Sequence, residues 1–263
     1  MKNQNIITFL FLLVYPLAFA QSSVDKGKVF YEAKKYPEAE NVFKSVSKKA
    51  ADYAAAQYYL GRIAFAQKKY DDAADYFKIA TEQNPSEGEY FNWLGDAYAT
   101  IGEHANVFRQ MSVGPKALRA WEMAAKLDSR IIDARVSLIE FYRVAPGFMG
   151  GGVDKSNATA KEAFVLLDEA LKKTPDHHLY LYWYGKSSAM TGLNLDRGEE
   201  CLQKYLTVTP KEGEPPIAGA YMRLGQIKEK KGYKVEAKKN YETALKLNNK
   251  LKGAKEGLER TSK

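Results

Sequence analysis

Small and large apolar positions recur along this chain at a spacing of 34 residues. The clearest unit runs from Ala54 to Glu87 and contains Leu60, Gly61, Tyr70, Ala73, Phe77, Ala80 and Pro85. Units that start at Ala20, Gly88 and Ala218 place the same kinds of residue in step. A self-similarity at this period predicts that each unit is one supersecondary element of a repeat architecture.

The spacing within a unit predicts two helices. Positions 4, 7, 8 and 11 of a unit share one face of a first helix, and positions 20, 24 and 27 share one face of a second. Small residues at positions 8 and 20, such as Gly61 and Ala73, allow the two helices to approach closely. Pro85, Pro175 and Pro210 stand near the ends of their units, where they end a helix. One hairpin cannot bury its apolar face alone, so neighbouring hairpins must stack.

These recurring positions resemble the tetratricopeptide repeat family. The resemblance covers residues 21–251 and implies an all-α, right-handed α-solenoid of about six helical hairpins. Residues 252–263 follow as a C-terminal cap helix or a tail. The insert that begins at Pro146, with the sequence PGFMGGG, is similar to one found in bacterial exported or periplasmic members of the family.

Two units depart from the 34-residue period. In the third, Ala117, Trp121 and Ala124 arrive ten residues late, which predicts an enlarged segment between its helices around residues 104–114 and a turn at Gly114-Pro115. In the fourth, the second helix arrives twelve residues late, and the segment from Pro146 to Lys155 is inserted.

Three consecutive glycines in the fourth-unit insert leave its role open. Gly150, Gly151 and Gly152 carry an entropic cost that an ordinary turn does not need. The insert is therefore either a flexible turn, a rigid loop anchored by Phe148 and Met149, or a loop that contacts a ligand.

The first twenty residues read as a signal peptide. An apolar run from Ile6 to Ala20 ends in Ala18-Phe19-Ala20, a pattern that signal peptidase accepts. An uncleaved anchor is the alternative, although about fifteen apolar residues are short for a membrane span. We expect cleavage near Ala20, a periplasmic or secreted location, and no transmembrane span in the mature chain.

Composition excludes several classes of protein. Apolar residues make up 45% and charged residues 27% of the 263 positions, which indicates a globular chain. One Cys and three His argue against a disulfide scaffold and a metal site, and no spacing of nucleophile and base stands out. We therefore expect no enzyme activity, no cofactor and no metal.

Positive charge is concentrated at the C-terminal end. Residues 223–263 hold 13 Lys or Arg and 5 Asp or Glu, a net charge of +8 that equals the net charge of the whole chain. This surplus indicates either a solvated outer face or an acidic partner. No aromatic stacking platform accompanies these lysines, so nucleic acid is not expected as a partner.

The family resemblance implies a concave groove lined by positions 2, 5, 6, 9, 12 and 13 of the first helices. Aromatic and Arg side chains there are typical of binding hot spots, although Trp93 and Trp183 would instead only cover the core if they pack between adjacent helices. The predicted groove residues are Tyr58, Tyr59, Arg62, Phe65, Asn92, Trp93, Asp96, Ser137, Glu140, Arg143, Tyr182, Trp183, Lys186, Met190, Met222, Arg223 and Gln226.

Two functions are consistent with this pattern. The first is a non-catalytic, exported interaction scaffold that binds a peptide or partner protein in the groove. Tyr59, Trp93 and Trp183 would be its apolar anchors, and Arg62, Arg143, Lys186 and Arg223 its charged donors. The alternative is a cell-envelope structural or assembly factor that contacts an anionic surface through the basic C-terminal hairpin.

Overall fold

The computed structural model describes residues 23–211 and 214–262, and in these ranges all regular secondary structure is helical. The predicted signal peptide at residues 1–20 lies outside the described residues. The helices, in chain order, are α1 (Ser23–Glu32), α2 (Tyr36–Lys44), α3 (Tyr53–Ala66), α4 (Tyr70–Gln83), α5 (Gly88–Glu103), α6 (Val107–Leu127), α7 (Ile132–Val144), α8 (Val153–Lys173), α9 (His178–Thr191), α10 (Leu195–Tyr205), α11 (Ile217–Lys230), α12 (Lys234–Leu247) and α13 (Lys252–Thr261).

Twelve of these helices form six hairpins that stack in chain order. Each odd-numbered helix from α1 to α11, called a first helix here, packs on the second helix that follows it. The last helix, α13, packs on α12 and α11 at the end of the stack. The predicted all-α, right-handed solenoid is confirmed.

A close contact between a glycine and a large side chain joins the helices of most hairpins. A Cβ atom at Gly61 would lie 2.6 Å from Phe77 Cε1, and one at Gly95 would lie 2.5 Å from Trp121 Cδ1. The small residue at position 8 therefore makes room for the ring at the facing position of the second helix, as the spacing predicts. In the fourth hairpin Ile139 takes the glycine's place, and the buried Ser156 hydroxyl donates to its carbonyl oxygen at 2.9 Å.

The third hairpin corrects one prediction. Only residues 104–106 separate α5 from α6, and Gly114-Pro115 lies inside α6. The extra residues lengthen the second helix, which starts at Asn106, whose side chain accepts a hydrogen bond from Arg109 N at 3.0 Å. Proline removes one backbone donor from the helix. Buried apolar residues on both sides of it, from Val113 to Trp121, outweigh that loss.

The fourth hairpin does have an enlarged link, at residues 145–152, with a 3-10 turn at Gly147–Met149. Gly150 has a φ of 97°, and a Cβ at Gly151 would collide with the Ala145 carbonyl oxygen, so both positions require glycine. Gly152 N donates to Tyr142 O at 2.8 Å and thereby satisfies a carbonyl at the end of α7. The link is thus a hydrogen-bonded loop of defined conformation.

The C-terminal residues continue the packing of the stack. Ala254 and Gly257 of α13 are buried, and a Cβ at Gly257 would meet the ring of Tyr241. Arg260 donates to Glu229 through Nε at 2.7 Å and through Nη2 at 3.0 Å. Within the described ranges, no helix has the length and apolar character needed to cross a bilayer.

Candidate functional site

The first helices form one continuous surface, which we call the inner face. Neighbouring first helices contact one another along the stack, whereas contact between successive second helices is marginal in the described part of the chain. Contact is already sparse between α3 and α5 and is sparser still between α5 and α7, whereas α7, α9 and α11 pack closely on one another.

Aromatic side chains and one arginine cover the inner face of the second and third hairpins. The Arg62 guanidinium lies 3.8 Å from the centre of the Trp93 ring, and its Nη1 donates to Tyr58 Oη at 2.7 Å. Trp93 Nε1 in turn donates to Glu89 Oε1 at 2.9 Å. Tyr59, half-buried, stacks on Phe43 with ring centres 5.1 Å apart. These groups therefore bind one another and leave only part of each ring in solvent.

Four of the predicted groove residues are in the core instead. Tyr58, Tyr182 and Met190 are buried, and Asn92 is only 1% exposed. Tyr58, Asn92 and Tyr182 stand at position 5 of their units, which the next first helix covers: Tyr58 stacks on Tyr90 of α5 with ring centres 4.9 Å apart. The predicted exposure of this position is wrong, and the surface that a partner could touch is correspondingly narrower.

Charged groove residues of the last three hairpins pair with one another. Lys186 Nζ lies 2.6 Å from Glu140 Oε2, and Arg223 Nη2 lies 3.6 Å from Glu140 Oε1. Burial alone would raise the pKa of Glu140, but the two cations hold it below its ordinary value. Arg223 Nη1 also donates to Gln226 Oε1 at 3.1 Å. Trp183, half-buried, lies against Tyr180 with ring centres 5.8 Å apart.

A cavity of about 710 Å³ opens where α5 and α7 diverge. We call it the α5–α7 cavity. It brings together five predicted groove residues, two residues of the glycine-containing loop and further side chains that the repeat pattern does not place in the groove. Its main lining residues are Phe65, Trp93, Asp96, Ser137, Glu140, Phe148 and Met149, together with Glu103, Val107, Gln110, Met111, Trp121, Phe141 and Val144.

The loop contributes to this cavity unevenly. Met149 anchors the loop by packing on Gly114 of α6. A Cβ atom on Gly114 would lie only 2.7 Å from Met149 Cε, so this packing explains the glycine inside the helix. Phe148, predicted as a second anchor, is 77% exposed at the rim. Gly150, Gly151 and Gly152 shape the loop and do not line the cavity.

Asp96 is the most perturbed group of the cavity. Its Oδ1 accepts a hydrogen bond from Trp121 Nε1 at 2.9 Å. Burial and the nearby charge of Asp133 nevertheless raise the pKa of Asp96 well above its ordinary value. Burial raises the pKa of Asp133 as well, although its Oδ2 accepts from Asn92 Nδ2 at 3.1 Å.

A second depression of the inner face, of about 480 Å³, is basic. We call it the basic pocket, and it shares Val144 with the α5–α7 cavity. Burial and the charges of Arg143 and Arg260 lower the pKa of Lys230. The lining residues are Arg143, Val144, Ala189, Met190, Arg223, Gln226, Glu229, Lys230 and Arg260.

Comparisons with known proteins agree with this architecture. The tetratricopeptide repeat family matches at residues 24–87 and 69–106 through one family model and at residues 218–251 through another. A comparison with curated proteins finds no match.

Three solved structures illustrate the similarity of the fold. The Cut9–Hcn1 heterotetramer of the APC/C has a TM-score of 0.59 at 15% identity, covering 89% of this chain and 41% of that chain. The assembly chaperone of RpL4, Acl4, has a TM-score of 0.54 at 15% identity, with 92% and 94% covered. PilW, a type IV pilus biogenesis factor, has a TM-score of 0.53 at 14% identity, with 92% and 97% covered.

At these identities the structural likeness establishes the fold alone, while the family matches locate the repeats in the sequence. The glycine-and-ring contacts of the hairpins, their stacking in chain order and the matched segments agree with one another. Residues 24–106 and 218–251 of this helical solenoid are therefore tetratricopeptide repeats.

Proposed function

We propose that this chain is a non-catalytic interaction scaffold that acts outside the cytoplasm and holds a peptide or partner protein on its inner face. The apolar run that ends at Ala20 supports export. The three structural neighbours are a heterotetrameric complex, an assembly chaperone and a biogenesis factor, and these roles support a function in assembly with other proteins.

The observation that carries this proposal is the apolar rim of the α5–α7 cavity. Phe148, Val144 and Met111 are 77%, 72% and 48% exposed, and all three line the cavity. Large apolar side chains grouped in solvent beside a concave surface are typical of a site that a partner covers. The cavity is suited to binding an apolar group, because its walls are mostly aromatic and aliphatic and few polar groups line it.

Binding can be tested with variants that leave the fold intact. A partner is first captured by crosslinking in envelope extract and then purified for affinity measurements. Replacing Val144 and Phe148 together by Ser should weaken affinity at least about tenfold, because each truncation of a hot-spot side chain costs about 1–2 kcal/mol. The matched control replaces Val165 and Val235, which are similarly exposed and do not line the cavity. Equal affinities for the two double variants would refute binding at this rim.

Export needs its own measurement. Amino-terminal sequencing of the protein recovered from cells should begin at Gln21 if cleavage follows Ala20. A chain that keeps Met1 and resists protease added outside the cytoplasmic membrane would contradict the proposed location.

A second candidate function, contact with an anionic envelope surface, is favoured by the basic pocket and the surplus charge after Arg223. Such contact should appear as co-sedimentation with vesicles that contain anionic phospholipid, and it should weaken steeply as salt rises. Failure to co-sediment at low ionic strength would exclude it.

A further inference from the structure

The charged residues that line the α5–α7 cavity all have the same sign. They are Asp96, Glu103 and Glu140, and no Lys or Arg lines the cavity, although the chain as a whole has a net charge of +8. A cavity with apolar walls and only carboxylates is complementary to an apolar ligand that carries a positive charge.

The three carboxylates are not equally available. Glu140 pairs with Lys186 and Arg223 from the neighbouring first helices, and Glu103 is an exposed residue at the end of α5. Asp96 uses Oδ1 for Trp121, whereas its Oδ2 receives no hydrogen bond or ion pair from any described residue. Asp96 is thus the carboxylate that a bound cation would neutralise. Burial and the charge of Asp133 raise its pKa, and the charge of Lys186 offsets this only in part.

The aromatic walls suit a cation as well. Trp93, Trp121 and Phe65 line the cavity, and a cation near an aromatic face gains about 0.5–2 kcal/mol. The chain already uses this contact on one of these rings, since the Arg62 guanidinium lies 3.8 Å from the centre of the Trp93 ring.

Both segments that depart from the 34-residue period line the α5–α7 cavity. The lengthened start of α6 contributes Val107, Gln110 and Met111, and the loop before α8 contributes Phe148 and Met149. A hairpin of ordinary length would lack these walls, so the added residues create a binding surface that the repeat alone does not have.

We propose that the α5–α7 cavity binds a segment of the partner in which a bulky apolar side chain stands next to, or one residue away from, a Lys or Arg that pairs with Asp96. This assignment rests on the proposed scaffold function and specifies the chemistry of its partner. A peptide is favoured over a small amine because the exposed apolar rim extends beyond the cavity, through Val144, to the basic pocket, an area that only a larger occupant covers.

Selection of random dodecapeptides displayed on phage, with the full chain immobilised, tests the proposal. Wild-type protein should enrich sequences that join an aromatic residue or Leu with a Lys or Arg, and should deplete Asp and Glu. Asp96→Asn keeps an acceptor for Trp121 Nε1 and removes the charge. It should abolish the enrichment of Lys and Arg while the apolar preference remains.

Two further variants separate the cavity from the rest of the surface. Met111→Lys places a cation at the mouth and should weaken an enriched peptide at least about tenfold in fluorescence anisotropy. Val165→Lys, at an exposed position of α8 that does not line the cavity, should bind that peptide as the wild type does. Circular dichroism confirms that each variant is folded.

The possible outcomes distinguish this inference from the function on which it rests. The inference would be overturned if acidic peptides were enriched, or if the enriched peptides bound the Asp96→Asn and Met111→Lys variants as tightly as the wild type. In both cases the scaffold function would still stand. Octylamine that binds in the cavity while no peptide is enriched would overturn it in favour of a small amine. If neither a peptide nor octylamine binds, both proposals fail for this surface.

Discussion

Replacing Asp96 by Asn removes a half-buried negative charge and keeps the acceptor oxygen that Trp121 Nε1 uses. Because the pKa of Asp96 is raised in the folded chain by burial and by Asp133, the folded state binds this proton more tightly than the unfolded state does. The contribution of Asp96 to the free energy of unfolding is therefore fully present below the ordinary carboxyl pKa of about 4, and it is lost as the pH rises toward neutrality. The Asp96→Asn variant avoids this loss of stability, because asparagine does not ionise.

The expected gain follows from the pKa shift. Each unit corresponds to about 1.4 kcal/mol, and sharing of the shift with Asp133 reduces what one substitution recovers, so we expect a gain on the order of 2 kcal/mol at about pH 8. At about pH 2.5, well below the ordinary carboxyl pKa, Asp96 is protonated in both states and the difference should vanish.

Urea denaturation followed by tryptophan fluorescence at both pH values measures this difference. Asp75→Asn, at an exposed position of α4, is the control and should change the midpoint little at either pH. A destabilised Asp96→Asn variant, or a gain that is the same at both pH values, would show that the charge of Asp96 costs the fold nothing.

Three further changes test the packing and the thiol. Gly95→Ala should lower the free energy of unfolding by about 2–4 kcal/mol, because its Cβ would displace the Trp121 ring and break the hydrogen bond from Trp121 Nε1 to Asp96. The control is Gly102→Ala, whose Cβ would meet only Val113 Cγ2 at 3.3 Å, and it should leave the free energy of unfolding nearly unchanged. Thermal or urea unfolding measures both variants. Cys201 is 1% exposed and burial raises its pKa to about 11, so a thiol reagent should react only with unfolded chain; rapid reaction under native conditions would contradict that burial. Deleting residues 252–263 should lower the free energy of unfolding by about 2 kcal/mol and speed amide hydrogen exchange in α11 and α12, because the deletion uncovers one face of the last hairpin. Unchanged exchange would show that α13 does not stabilise the last hairpin.

The contacts inside a hairpin could be predicted from the sequence because recurring small and large residues mark the facing positions of its two helices, even where an insertion separates them. Gly61 meets Phe77 and Gly95 meets Trp121, and both pairs follow from the helical period and the need for close approach. The Gly114-Pro115 turn was wrongly predicted because a local breaker signal carries no information on how much apolar surface the flanking residues bury.

Contacts between hairpins could not be read in this way. Whether Asn92 faces a groove or the next hairpin depends on the rotation between successive units, which no single repeat encodes. The α5–α7 cavity likewise arises from the distance between two first helices. Asp96 was among the predicted residues, but the sequence gives no sign that Met111 would line the same cavity.

The sparse contact between α5 and α7 leaves the inner face at this joint free to open and close. The first helices of the last three hairpins pack closely on one another, so bending at the α5–α7 joint should change the angle between the first three hairpins and the last three. An occupant wedged into the joint would fix the angle between these two halves. Small-angle scattering should then report a narrower distribution of overall dimensions once the wedge is in place.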